Sequence, residues 1–126
     1  MKKQFLTLVL ALSAIIGAAR AQDAATPDAA HGKIIYYKCA YCHGLLGKNG
    51  PVGPTLVGVI GRQAGSIPDF PYSDDLKGSG IIWDEGSIEG FIQNPAQMIQ
   101  GTRMIFPGLT NQSDAADMVA YLKTLK

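Results

Sequence analysis

The only two cysteines in the chain, Cys39 and Cys42, stand three apart, and His43 follows at once. The string Cys39-Ala40-Tyr41-Cys42-His43 has the form of a haem attachment site. Thiols at this spacing on a helix end reach the two vinyl groups of one haem, and the two thioether bonds fix the ring against the chain. The next histidine is then directed at the iron, for which imidazole nitrogen is a natural proximal ligand. Other readings of a C-x-x-C pair are a small disulfide loop or a thioredoxin-like redox pair. Neither explains why histidine follows. Half of a zinc site is a further reading, but there is no second cysteine pair and His31 alone does not complete one.

The chain around this string reads as short helices joined by long loops. Asp28 caps a helix running into Cys39, with Ile34, Ile35 and Tyr36 among its apolar residues. From Gly44 to Ser66, Gly44, Gly47, Gly50, Pro51, Gly53, Pro54, Gly58, Gly61 and Gly65 recur too closely for regular structure. A loop of that length is out of place in an ordinary core and makes sense wrapped around something other than protein. Ser73 caps a short helix over Asp74 to Lys77, and Asp84 caps another carrying Ile88, Phe91 and Ile92 at helical spacing. Asn94-Pro95 opens a short turn. A second irregular stretch spans Gly101 to Asn111. The last helix, capped by Asn111 or Ser113, carries Met118, Tyr121, Leu122 and Leu125 as its apolar stripe, with acids at its start and Lys123 and Lys126 at its end. No alternating segment reads as a sheet, so the fold expected is all-α.

The first residues read differently. Lys2 and Lys3 precede the almost wholly apolar run Phe5 to Ala19, and Ala19-Arg20-Ala21 places small residues at a signal peptidase site. The run falls short of the roughly 20 residues of a transmembrane helix. The expected organisation is therefore a secretory signal peptide over 1–21, a flexible leader over 22–27 and one domain over 28–126; an uncleaved anchor is the alternative. Loss of Lys2, Lys3 and Arg20 changes the formal charge from +1 to −2. Such a faintly acidic domain is unsuited to nucleic acid, whose binding rests on many cationic contacts.

An iron with one histidine takes a sixth ligand or stays open. Beyond the signal, the chain offers His31, Met98, Met104 and Met118. His31 shares a helix with His43 and cannot reach the opposite face of the ring. Met118 belongs to an apolar stripe, where packing is its ordinary role. Met98 and Met104 flank the second glycine-bearing loop. The pattern favours Met104, because irregular backbone on a rigid scaffold often presents ligands.

With these residues in view, Gly32 to Leu125 resembles the class I cytochrome c family, of the mitochondrial and bacterial soluble type. Gly32, Tyr36 and Tyr121 match residues of the first and last helices, which cross in that family. Gly53-Pro54-Thr55-Leu56 matches the loop whose proline carbonyl orients the proximal histidine. Gly61-Arg62, Tyr72 and Trp83 match residues that hydrogen-bond or neutralise the haem propionates, and Asn94-Pro95 with Gly101 to Phe106 matches the methionine segment. The resemblance implies a small fold wrapped around one haem c bound through Cys39 and Cys42, with His43 and Met104 on the iron and Pro54, Arg62, Tyr72 and Trp83 around the group. Departures are Phe91 and Leu76, where mitochondrial members carry tyrosine and asparagine, and Ala96 and Gln97 in place of docking lysines.

The function expected from this reading is a periplasmic single-electron carrier rather than an enzyme. It would exchange electrons transiently at the haem edge with a membrane respiratory complex or a periplasmic dehydrogenase. It would act as a monomer, with no nucleic-acid partner and no insertion in the membrane after signal cleavage. Alternatives are a dedicated haem subunit of a periplasmic dehydrogenase, a peroxidase-like or gas-binding protein with an open iron, and a disulfide domain without haem.

Overall fold

In a computed structural model, which describes residues 25–45 and 47–126, five helices follow in the order α1 (Ala29–His43), α2 (Asp74–Gly78), α3 (Glu85–Gln93), α4 (Pro95–Met98) and α5 (Gln112–Leu122). The expected signal peptide and most of the expected leader, residues 1–24, lie outside the described residues.

Each helix starts where a short polar side chain satisfies the free N–H groups of a first turn. Asp28 accepts from the N–H groups of Ala30 and His31, and Ser73 accepts from Leu76. Asp84 and Ser87 form a reciprocal capping box, Asn94 accepts from Gln97, and Asn111, rather than Ser113, caps α5. The helix expected to run into Cys39 continues one turn further, to His43, and ends at Gly44, whose φ of 76° suits glycine. The Gly44 N–H donates to the Ala40 carbonyl at 2.8 Å, and its own carbonyl accepts from the Tyr36 hydroxyl at 2.8 Å.

The frame of the fold is the crossing of α1 and α5. A Cβ on Gly32 would land on the Asp117 carbonyl, so only glycine permits the backbones to approach this closely. One turn along, Tyr36 and Tyr121 meet edge to face, their ring centroids 5.2 Å apart at 63°. The buried side of this crossing is Ile35, Tyr36, Ala115, Met118, Val119 and Leu122, and it is continuous with Ile88, Phe91 and Ile92 of α3, which packs on α5 and α4. Trp83 packs on Phe91 with centroids 5.2 Å apart.

The loops are held by backbone hydrogen bonds in place of a sheet. Among the described residues the only strand-like pairing is an isolated antiparallel bridge, Gln63 with Ile82. Around it, Trp83 donates to the Arg62 carbonyl, Gly61 to that of Trp83 and Ala64 to that of Ile81, all at 2.7–2.9 Å. The Gly58 N–H ties the first long loop to Leu125, in the turn that follows α5, and the Leu109 N–H ties the second to α3 through Ile92. No helix among the described residues is long and apolar enough to cross a membrane.

Candidate haem site

Because α1 runs through His43, Cys39, Cys42 and His43 occupy positions i, i+3 and i+4 and share one face of its last turns. Both thiols are free and partly buried. Burial, with the adjacent Cys42 second, pushes the Cys39 thiol up to about 11, so it stays protonated and un-nucleophilic at neutral pH. Among the described residues no three His, Cys, Asp or Glu side chains gather to hold a metal ion, which leaves the zinc reading without a site.

His43 is oriented by the loop that follows it. Its Nδ1 donates to the Pro54 carbonyl at 2.7 Å. A carbonyl only accepts, so the proton is on Nδ1 and the lone pair on Nε2, the tautomer that a metal-binding imidazole adopts when its other nitrogen is tied to backbone. Burial lowers the ring's pKa below its ordinary value and so favours the neutral form; the Pro54 hydrogen bond opposes this shift and the nearby Arg62 charge adds to it. Gly53 makes this placement possible: a Cβ there would lie 2.7 Å from His43 Nδ1 and Cε1. Its N–H donates to the Cys42 carbonyl at 3.0 Å, so the loop is stitched to the end of α1 at the residue before the histidine.

A further layer fixes Pro54. Arg62 donates from Nη2 to the Thr55 carbonyl at 2.6 Å and from Nη1 to that of Val57 at 3.3 Å. The Thr55 N–H donates to Asn49 Oδ1 at 3.1 Å. The half-buried guanidinium therefore braces the segment that aims the imidazole. Tyr72 is buried close enough for its charge state to couple to that of Arg62, and burial raises its phenol above the ordinary value. Trp83 is buried too, next to the strand-like bridge, where its N–H donates to the Arg62 carbonyl.

The four candidates for a second axial ligand have different surroundings. Met118 is 1% exposed within the core, and Met98 is 39% exposed on the outside of α4. His31 is exposed and tied to Asp117. Met104 is partly buried and packs against the core beside Phe106. Its N–H donates to Thr102 Oγ1 at 3.2 Å, and its neighbour Arg103 donates from Nη1 to the Pro71 carbonyl at 2.9 Å. The loop bearing Met104 is thus pinned to the segment leading into Tyr72.

Two features of this arrangement had no signal in the sequence. The Arg103–Pro71 and Arg62–Thr55 contacts use backbone carbonyls, which carry no residue signature. The Thr102–Met104 turn is local, and the threonine two residues before the methionine is the sort of signal that reveals it.

The site fits a haem on the chemistry of its donors and on the character of its walls. A neutral imidazole with its lone pair free and two unpaired thiols share one helical face, and the edge of the core carries Leu56, Ile60, Leu76, Ile81, Met104 and Phe106. These apolar side chains pack on the core yet remain only partly buried. Such a rim suits a large apolar group.

The fold and this helix-end constellation define a small haem protein of the c type. The family described as Cytochrome c matches residues 29–126, and the chain belongs to it. It is 41% identical to cytochrome c2 of Rhodomicrobium vannielii over 88% of this chain and 92% of the relative. It is 46% identical to cytochrome c2 of Rhodoblastus acidophilus over 82% and 95%. The solved structure of cytochrome cH from Methylobacterium extorquens superposes with a TM-score of 0.72 at 42% identity, covering 77% of this chain and 98% of that one. The cofactor is accordingly one haem c, joined through Cys39 and Cys42, and the role is electron transport.

Proposed function

We propose that this protein is a periplasmic one-electron carrier whose haem iron is held by His43 and Met104. The observation that carries the reading is the hydrogen bond from His43 Nδ1 to the Pro54 carbonyl, which leaves Nε2 as the free nitrogen. The environments of the other candidates support Met104 opposite it: Met118 is enclosed in the core, Met98 lies on the surface and His31 is engaged elsewhere. Residues 1–21 act as the export signal, 22–27 as a leader and 28–126 as the haem domain.

When bound, the haem supplies a one-electron couple, and histidine–methionine ligation favours the reduced state relative to two harder ligands. The chain's own residues set the conditions for that couple. Pro54 holds the imidazole in one tautomer, and Arg62 holds Pro54's loop. The Arg103 tie to Pro71 and the Thr102 turn brace the methionine loop and would keep it in place on a change of oxidation state, so that reorganisation is small. The apolar rim excludes water and lowers the local dielectric, which disfavours the more positive oxidised form. Arg62, Tyr72 and Trp83 would serve the propionates of a bound haem, Arg62 by its charge while its fork holds the Thr55 and Val57 carbonyls. With His43 and Met104 both holding the iron, a bound haem would leave no place for a substrate and would supply electron transfer without a bond change. Partners are redox proteins that dock weakly and transiently at the haem edge.

The test is an absorption spectrum of the purified holoprotein, oxidised, reduced and then exposed to carbon monoxide. Sharp c-type bands, a weak sulfur-to-iron band in the oxidised form and no response to carbon monoxide are expected. Carbon monoxide binding with loss of the sulfur band would overturn the closed iron and favour a catalytic or gas-binding role.

A further inference from the structure

The chain has three asparagines, Asn49, Asn94 and Asn111, and the residue after each decides its chemistry. An asparagine side chain is open to attack by the backbone nitrogen of the next residue, which closes a five-membered ring and expels ammonia. Asn94 is followed by Pro95, whose nitrogen carries no hydrogen, so that ring does not close. Asn111 is followed by Gln112, the first residue of α5, where a side chain and helical backbone both stand in the way. Asn49 is followed by Gly50, which has no side chain to hinder the attack and the freest backbone of any residue. Asn49 is also exposed, so the water that completes the reaction has access to it.

The fold occupies the atoms that would react. The Gly50 N–H donates to the Gly53 carbonyl at 2.8 Å, and Asn49 Oδ1 accepts from the Thr55 N–H at 3.1 Å. Gly50 is seated where no other residue fits: a Cβ there would land on the Cys42 carbonyl and lie 2.6 Å from the His43 carbonyl carbon. Nucleophile and electrophile are each tied into the loop that brings Pro54 to His43.

We propose that Asn49 is a self-modification site gated by these two hydrogen bonds, so that the ring closes only when this loop opens. The proposal is independent of the electron-carrier reading. In the step, the Gly50 nitrogen gives up its proton and bonds to Asn49 Cγ, the Cγ–Nδ2 bond breaks, and the amide nitrogen leaves as ammonia. Water then opens the ring, with no oxidant or reductant involved. Attack at Cγ leaves aspartate on the native backbone. Attack at the Asn49 backbone carbonyl carbon leaves isoaspartate, in which the chain runs through the side-chain carbons. The two products differ in consequence. Aspartate keeps an oxygen for the Thr55 N–H. Isoaspartate lengthens the chain directly before a seat that does not admit even a Cβ, so Gly50 is forced out and the Thr55 tie beside Pro54 is lost.

The experiment incubates the holoprotein at mildly alkaline pH in water enriched in heavy oxygen, both folded and in denaturant, beside Asn49→Gln and Asn49→Asp. Peptide mass mapping marks each deamidation by the heavy oxygen taken up, and ion exchange separates the products. Uptake is expected in the peptide containing Asn49 and not in Asn49→Gln. It should be slower by about tenfold or more in the folded protein, as a reaction through a locally opened state requires. The isoaspartate fraction should show faster amide exchange at Thr55, whereas Asn49→Asp, with the same added charge, should keep Thr55 protected. Equal rates in the folded and denatured protein would overturn the gate. No uptake at Asn49 in denaturant, or uptake centred on Asn111, would overturn the site. An isoaspartate fraction with Thr55 as protected as in Asn49→Asp would overturn the consequence for the loop.

Discussion

His31 Nδ1 donates to Asp117 Oδ2 at 2.8 Å, joining the first turn of α1 to the middle of α5 on the exposed side of their crossing. The same carboxylate accepts from the Asp28 N–H at 2.6 Å, so one aspartate ties the start of the domain to its last helix. The hydrogen bond to Asp117 raises the His31 pKa, with the charges of Asp117, Asp114 and Asp28 adding to it. Asp117 is held below the usual carboxylate range, chiefly by the Asp28 N–H and then by His31. The raised histidine contributes stability that is complete below its unfolded value of about 6.5 and lost as pH rises through its folded value. The depressed aspartate contributes stability that is present above about 4 and lost as pH falls through its folded value. The holoprotein is therefore expected to be most stable between those limits. Thermal midpoints followed by circular dichroism across this range should fall on the alkaline side, and His31→Asn should flatten that limb. An equally steep limb in the variant would show that the pair does not set it.

Gly53 makes a sharper case. Its Cβ would stand 2.7 Å from the His43 ring, and its backbone is held by the Cys42 carbonyl, so neither side yields easily. Gly53→Ala is expected to cost about 1–3 kcal/mol, the range for overpacking at a close contact. Gly78 is the control: a Cβ there would meet no atom within 4 Å, and its φ is not positive. Gly78→Ala should be neutral or stabilising by about 0.4–1 kcal/mol. Denaturant titration of both holoproteins measures the difference, and a reduction potential altered only in Gly53→Ala would trace the effect to the histidine. Equal midpoints for the two variants would refute the contact.

The methionines divide by environment. Met104→Ala is expected to remove the sulfur band and admit carbon monoxide. Met98→Ala, at an exposed position, should keep the native spectrum and change stability by no more than about 0.5 kcal/mol. Met118→Ala empties a fully enclosed site and should cost about 2–5 kcal/mol, again with the native spectrum. Spectra and unfolding curves of the three holoproteins separate ligation from packing. A native spectrum in Met104→Ala would move the axial ligand elsewhere.

Much of this fold was legible because its helices announce themselves locally. Asp28, Ser73, Asp84 and Asn94 cap the helices that the sequence places after them, and the close approach at Gly32 fits the helix crossing that the resemblance implies. The adjacency of Cys39, Cys42 and His43 is likewise readable, since the spacing itself is the chemistry. What was hidden depends on distance along the chain. Asp117 meets His31 and Asp28 across more than 80 residues, and Arg103 reaches Pro71 across 32. The choice of Asn111 over Ser113 as the cap of α5 also needed the folded geometry, because both side chains fit that position and they hydrogen-bond each other. The inward face of α1 was hidden for a different reason: with Ile34, Tyr37 and Tyr41 exposed opposite the buried Ile35 and Tyr36, the helix is apolar on two faces and its sequence gives no sign of which one the core takes.

Arg62 offers the last test, because its fork is directed at backbone. Nη2 and Nη1 donate to the Thr55 and Val57 carbonyls, on either side of Leu56 and directly after Pro54. Lysine keeps the charge but has a compact ammonium head and cannot span two carbonyls in the same planar geometry. Arg62→Lys is therefore expected to leave haem attachment intact and to loosen the 54–57 segment. The cost should be about 1–3 kcal/mol, the range for hydrogen bonds made by a charged donor. Amide hydrogen exchange should rise at Thr55 and Val57 while α5 stays protected. The reduction potential should also shift, since the Pro54 carbonyl that polarises His43 would no longer be held as firmly. Exchange rates at Thr55 and Val57 equal to those of the native protein would show that Asn49 and the Cys42 stitch hold the loop without Arg62.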